Sequence, residues 1–195
     1  MNSAGRVARR ESESGVTGGK AANFDSIPDL LTSALVVVGT QHFDALVAEV
    51  DRLVEIGRLP RDTFGQIGSG HYLPRHFPWV RYERDLWRRL AQADLIITHG
   101  GTGLVMECLQ SGRPFIAVPD ELKPENHQLE FLEALAERFD YCWARRPADL
   151  EAALDHARPA RRRDSRDVRE LAGDILAFVQ PKGNVRQLVA GHFCP

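Results

Sequence analysis

The chain has 195 residues, 43% hydrophobic and 27% charged, with a formal net charge of -2, which describes an ordinary globular protein without the basic surface that nucleic acid demands. Its three cysteines, Cys108, Cys142 and Cys194, form no CxxC pair, so neither a disulfide framework nor a zinc site is indicated. No apolar stretch approaches the roughly 20 residues that span a bilayer and no signal-peptide core opens the chain, so a membrane role has to come through a partner or a surface patch.

Residues 1–33 contain "RRESESGVTGGKAAN", rich in Ser, Gly and charge, and read as a flexible extension. A folded domain spanning 34–180 then opens with "ALVVVGT", a short β-branched run that predicts a buried parallel strand ending at Gly39 and Thr40. Phe43, Leu46, Val47, Val50, Leu53 and Val54 recur at three- and four-residue spacing, which predicts a helix stopped by Gly57 and Pro60. "TFGQI" and "PWVRY" predict two short strands around the loop "GSGHYLPRHF". "ERDLWRRLAQA" is a predicted helix with Leu86 and Leu90 in register and Trp87 expected in the core.

"DLIIT" is a predicted strand, "GLVMECLQSG" a helix closed by Gly112, and "PFIAVP" a further strand. A helix at about 126–138, a short strand at "DYCWA" and helices at about 148–157 and 164–179 follow, then a tail at 181–195. "RRRDSRD", 161–167, reads as a solvated helix start, although its arginines also suit anionic lipid or a partner's acidic face. Strands alternating with helices predict a single α/β domain, a parallel sheet with helices on both faces.

In such a sheet, ligands settle at the carboxyl ends of the strands. "THGGTGLVMECLQSGRPFIAVP", 98–119, lies at such an end: the strand delivers His99, and Gly100, Gly101, Thr102 and Gly103 turn into a helix. The helix start directs free amides and a positive dipole end outward, an arrangement suited to phosphate. Glycine lets the backbone approach a diphosphate closely, and Thr102 adds a hydroxyl. Glu107 follows Gly103 by about one turn and so faces roughly the same way, where a carboxylate can bind sugar hydroxyls. The glycines fit a plain strand-to-helix turn equally well. The segment is neither the dinucleotide GxGxxG nor a P-loop, which needs a lysine and a hydroxyl residue absent here.

"HGGTGLVMECLQSGRPFIAVPDELKPENHQLEFLEAL" resembles the donor-binding segment of GT-B glycosyltransferases, specifically the family 28 C-terminal domain. "VVVGTQHFDALVAEVD" resembles the opening strand and helix of soluble donor-binding subunits in that family, those of two-subunit UDP-N-acetylglucosamine transferases and their bacterial exopolysaccharide relatives. The likeness covers about residues 34–155. It implies a single Rossmann-like domain, the C-terminal half of a GT-B fold. It also implies that Gly100 to Gly103 hold a UDP diphosphate, that Glu107 holds the ribose hydroxyls, and that Asn126 and Gln128 of "ENHQ" bond the donor sugar. By the same likeness Tyr82 stands beside the uracil, and Gly39 and Thr40 border the cleft. Asn126 alone also suits an N-cap, Tyr82 a core or surface tyrosine, and Gly39 and Thr40 a strand end.

The resemblance implies an inverting transfer of a hexose-type sugar from a UDP-sugar to a lipid-linked acceptor. Acceptor binding and the catalytic base are expected on a membrane-associated partner subunit, which recruits this chain from the cytoplasm to the cytoplasmic face of the membrane. No cofactor is expected, the UDP-sugar being a substrate, and no metal, since the motif region lacks an acidic DxD. His99 sits beside the phosphate loop, poorly placed as a base for the acceptor, so no catalytic residue is assigned. Two other readings stay open: a non-catalytic nucleotide-sugar-binding regulatory module, and a UDP-sugar epimerase or hydrolase on the same scaffold. His42, His71 and His76 lack ligand spacing and read as solvent-facing, and Cys108 reads as a buried small hydrophobe.

Overall fold

The computed structural model describes residues 31–120 and 127–163. In chain order the elements are β1 (Ser33–Val37), α1 (Asp44–Glu55), β2 (Asp62–Gln66), β3 (Trp79–Val80), α2 (Leu86–Gln92), β4 (Leu95–His99), α3 (Thr102–Ser111), β5 (Phe115–Val118), α4 (His127–Arg138), β6 (Phe139–Asp140), β7 (Cys142–Trp143), α5 (Leu150–Leu154) and β8 (Arg161–Arg162). A 3-10 turn at Pro147–Asp149 leads into α5. Six strands form one sheet in the order β3-β2-β1-β4-β5-β7, and every pairing in it is parallel.

β1 and β4 lie at the centre, and apolar residues on both faces of them build two cores. Ala34, Val36, Leu95 and Ile97 pack with α1 and α5 on one side. Leu35, Val37 and Ile96 pack with α2, α3 and α4 on the other. Each fully buried Leu, Ile or Val contributes about 1.5–3 kcal/mol by leaving water, which is why these strands carry almost nothing else. The first of the two cores also holds a charge, because the Asp51 carboxylate on α1 is 2% exposed. It accepts hydrogen bonds from Tyr72 Oη (2.8 Å), Arg75 N (3.0 Å) and His76 N (2.8 Å), and so pins the 71–76 loop to α1. Burial pushes its pKa up, but the amides of His76 and Arg75 and the Tyr72 hydroxyl outweigh burial and hold it below the usual carboxylate range.

α1 ends as its sequence predicts. Gly57 takes φ +75, its N–H bonds Val54 O (3.1 Å) and the next N–H, of Arg58, reaches back to Leu53 O (2.9 Å). That pair of bonds is a Schellman cap, which a left-handed glycine permits at no steric cost. α3 also stops at a left-handed glycine, Gly112 with φ +67, but there the next N–H, of Arg113, donates to Ser111 Oγ (3.2 Å).

Three expectations need correction. Trp87 is 50% exposed while Leu90 is fully buried, because Leu90 is the one residue of α2 turned fully to the core. Arg161–Arg162 forms a strand rather than a helix start, pairing antiparallel with β6; Asp140 holds that ribbon through Arg158 Nη2 (2.7 Å) and Arg163 Nη2 (3.6 Å). The fold also begins earlier than residue 34. Leu31 packs on the core, and Asp94 Oδ2 accepts from Thr32 N (3.1 Å), Thr32 Oγ1 (2.7 Å) and Ser33 N (3.1 Å), with the Thr32 hydroxyl the main cause holding that carboxyl below its ordinary range. Residues 1–30, the helix expected at 164–179 and the tail at 181–195 lie outside the described residues.

Candidate functional site

β4 is buried along its whole length and carries Thr98 and His99 to the carboxyl edge. The Gly100 N–H donates to Val118 O (2.8 Å), which ties the turn to β5. α3 then starts from Gly101, an extended N-cap (φ -68, ψ 127) without a side-chain cap bond. Its first intrahelical bond runs from Val105 N to Gly101 O (3.0 Å), so the preceding amides have no acceptor inside the helix.

The three glycines of this turn serve different ends. A Cβ on Gly100 would stand 3.1 Å from Leu132 Cδ1 and 3.2 Å from Gln128 Cβ, so its bareness admits α4. A Cβ on Gly101 would stand 2.3 Å from His99 Nε2, and one on Gly39, which has φ +70, would stand 3.0 Å from His99 Cε1. The imidazole therefore fills the space between the β1 and β4 loops, with a glycine on each side. Gly103 differs: a Cβ there meets nothing within 4 Å. Nothing in the described chain requires glycine at that helical position, where it costs about 1 kcal/mol relative to alanine.

The other predicted residues distribute along the same edge. Thr102 and Glu107 are half-buried on α3, one turn apart from the exposed Gly103 to Glu107, and Thr40 is exposed beyond β1. Gln128 lies against Gly100, with its Oε1 accepting from Asp120 N (3.0 Å). Tyr82 follows the edge strand β3 and is 57% exposed. Three strand spacings, roughly 14 Å, separate β3 from β4 in the sheet order, so Tyr82 and the glycine turn can share an extended ligand only. Asn126 lies outside the described residues. His42, His71 and His76 are exposed as expected, and among the described residues no three His, Cys, Asp or Glu side chains gather to hold a metal ion. Cys108 is 1% exposed and burial pushes its thiol far up; burial also lifts Cys142, to about 11.

The loops beneath this edge are bound to one another by residues that the sequence did not single out. Arg81 Nη1 donates to Gly68 O (3.1 Å) and also to Gly70 O. Asp44 accepts from His71 N (2.9 Å), and Ser69 N donates to Gln41 O (3.1 Å). A polar residue at the carboxyl end of a buried parallel strand, as Gln66 is, was the available signal. An open groove of about 770 Å³ between α1 and the 71–79 loop is lined by none of the predicted site residues.

A parallel sheet with strand order β3-β2-β1-β4-β5-β7, helices on both faces and a glycine turn entering a helix beside the central strands defines a Rossmann-like α/β domain. The chain belongs to the glycosyltransferase family 28 C-terminal domain family, whose model matches residues 33–173. It is 35% identical over 117 residues to the UDP-N-acetylglucosamine transferase subunit ALG13 of Mus musculus, an alignment covering 52% of this chain and 10% of that protein. The subunit of the same name from Yarrowia lipolytica is 30% identical over 125 residues, 56% of this chain and 64% of the relative. The chain thus spans from a tenth to somewhat under two thirds of these relatives. Among solved structures, Acinetobacter baumannii MurG superposes with a TM-score of 0.50 at 20% identity, over 67% of this chain and 47% of that one, a likeness of fold.

Proposed function

We propose that this chain is the UDP-sugar-binding subunit of an inverting glycosyltransferase, which passes a hexose-type sugar to a lipid-linked acceptor held by a membrane-associated partner subunit. The observation that carries the reading is Gly103: among the described residues a methyl there would meet nothing within 4 Å, beside amides that have no acceptor inside their helix, which suits a place kept clear for a ligand. Family membership and the transferase-subunit names of the relatives support a nucleotide sugar as that ligand, with UDP-N-acetylglucosamine the first donor to test.

In this reading the amides of Thr102, Gly103 and Leu104 and the positive end of α3 face the diphosphate. As the glycosidic bond breaks, negative charge grows on the departing UDP, and donors fixed in place before the reaction stabilise that charge without reorganising. Glu107 accepts from ribose hydroxyls, and Gln128 and Asn126 serve the sugar. The base that takes the acceptor's proton belongs to the partner.

Titration calorimetry of the full chain with UDP and UDP-N-acetylglucosamine tests the first half of the reading, and heat from neither ligand would refute it. UDP release is then assayed with a lipid-linked acceptor, with and without a membrane-associated acceptor-domain subunit. Turnover only in the mixture is the expected result. Binding with no turnover in either case would identify a regulatory nucleotide-sugar module instead.

A further inference from the structure

Gln66, the last residue of β2, is 5% exposed although both ends of its side chain are polar. Its Nε2 donates to Gly39 O (3.2 Å), and its Oε1 accepts from Glu83 N (2.9 Å). The two partners settle which end is which, since a carbonyl needs a donor and an N–H an acceptor. One buried amide therefore spans the gap between the loop after β1 and the loop after β3, across the strand that separates them in the sheet.

The far side of the β3 loop is held as well. Glu83 Oε2 accepts from Arg89 Nε (2.6 Å), and the Arg89 guanidinium lies 3.6 Å over the Phe64 ring. Tyr82 is the residue just before this double anchor, and its own side chain is exposed. Its position is thus set by ties on either side, the Arg81 bonds to Gly68 before it and the Gln66 bridge after it, with the bridge the tie that reaches the Gly39 loop, rather than by packing of the Tyr82 ring.

We infer that Gln66 is a positioning residue that fixes the Tyr82–Glu83 loop in register with the Gly39 loop and thereby sets how well this edge discriminates uracil from other bases, an inference that rests on the donor-site reading above. Gln66 touches no ligand itself. Replacing its amide with an apolar chain of similar length leaves two half-buried backbone groups, Gly39 O and Glu83 N–H, without this partner, removes the tie between the β3 loop and the Gly39 loop, and leaves the glycine turn on β4 untouched.

The test compares UDP with ADP, which share ribose and diphosphate and differ in the base, on the full chain by calorimetry. Gln66→Met is expected to weaken UDP binding about tenfold and ADP binding less than twofold, collapsing the preference. Gln66→Glu keeps the acceptor for Glu83 N–H but sets a carboxylate oxygen against Gly39 O in place of the Nε2 donor, so it breaks the same bridge and is expected to lower the preference for UDP as Gln66→Met does. Thermal melts confirm that each variant is folded. A folded Gln66→Met that retains the parent's preference for UDP over ADP, or that loses both nucleotides in parallel, overturns the positioning role. A parent chain that binds no UDP overturns the donor-site reading itself, a separate and visible outcome.

Discussion

Gly103→Ala separates ligand space from protein packing in a single substitution. The added methyl meets no atom within 4 Å, and the position is helical with an ordinary backbone, so the free protein gains from lower unfolded-state entropy. Such replacements stabilise by about 0.4–1 kcal/mol, which for a chain of this size raises the melting temperature by roughly 1–4 °C. The same methyl projects into the space assigned to the diphosphate and is expected to weaken UDP binding at least tenfold, about 1.4 kcal/mol. Scanning calorimetry and titration with UDP on one preparation read both effects. A variant that is stabilised and still binds UDP at parental affinity would refute the ligand assignment, and one that is destabilised would refute the open space.

Further outcomes follow from other sites. Gly68→Ala combines φ +58 with a Cβ 2.0 Å from Gln41 O and is expected to cost about 3 kcal/mol or more; Gly57→Ala, φ +75 with nothing nearby, costs only about 1–2, a contrast that urea denaturation resolves. Asp51→Asn keeps one oxygen for the amides of Arg75 and His76 but sets an NH2 group where Oδ2 accepts from Tyr72 Oη and Arg75 N, and loses the charge on bonds made to it, so it is expected to destabilise by about 1–2 kcal/mol at neutral pH. Because the folded-state pKa of Asp51 is lowered, the carboxylate stabilises above its ordinary value near 3.9 and stops doing so as pH falls through the folded value, so the gap between variant and parent should shrink below about pH 4. Glu107→Ala is expected to weaken UDP roughly tenfold while leaving inorganic pyrophosphate binding unchanged, since a carboxylate serves ribose hydroxyls rather than phosphate.

Most of the fold was legible because two periods carry it. Apolar runs such as Leu95–Ile97 mark strands buried on both faces, and the Leu46, Val50, Leu53 and Val54 stripe marks the helix laid on them. The glycine turn was legible for the same reason, falling where a strand period hands over to a helical one. Trp87 was misplaced because its helix meets the core through Leu90 and the partly buried Leu86, and seven residues are too few to fix a face. The β6–β8 ribbon consists of two-residue strands, too short for any period, and is set by Arg158 and Arg163 converging on Asp140. Asp51 and Gln66 escaped notice because their partners are backbone groups 17 to 27 positions away, which no local pattern announces.

Stitching among the β1, β2 and β3 loops has a kinetic consequence. Gln66, Arg81 and Asp44 leave these segments little freedom to lose when a ligand docks, so this part of the edge is preorganised. Association should accordingly follow one exponential phase whose rate climbs in proportion to ligand concentration, without the plateau that a slow loop rearrangement imposes. Backbone amides of Ser69 and His71 should exchange with solvent deuterium together, since opening either one means parting the same seam.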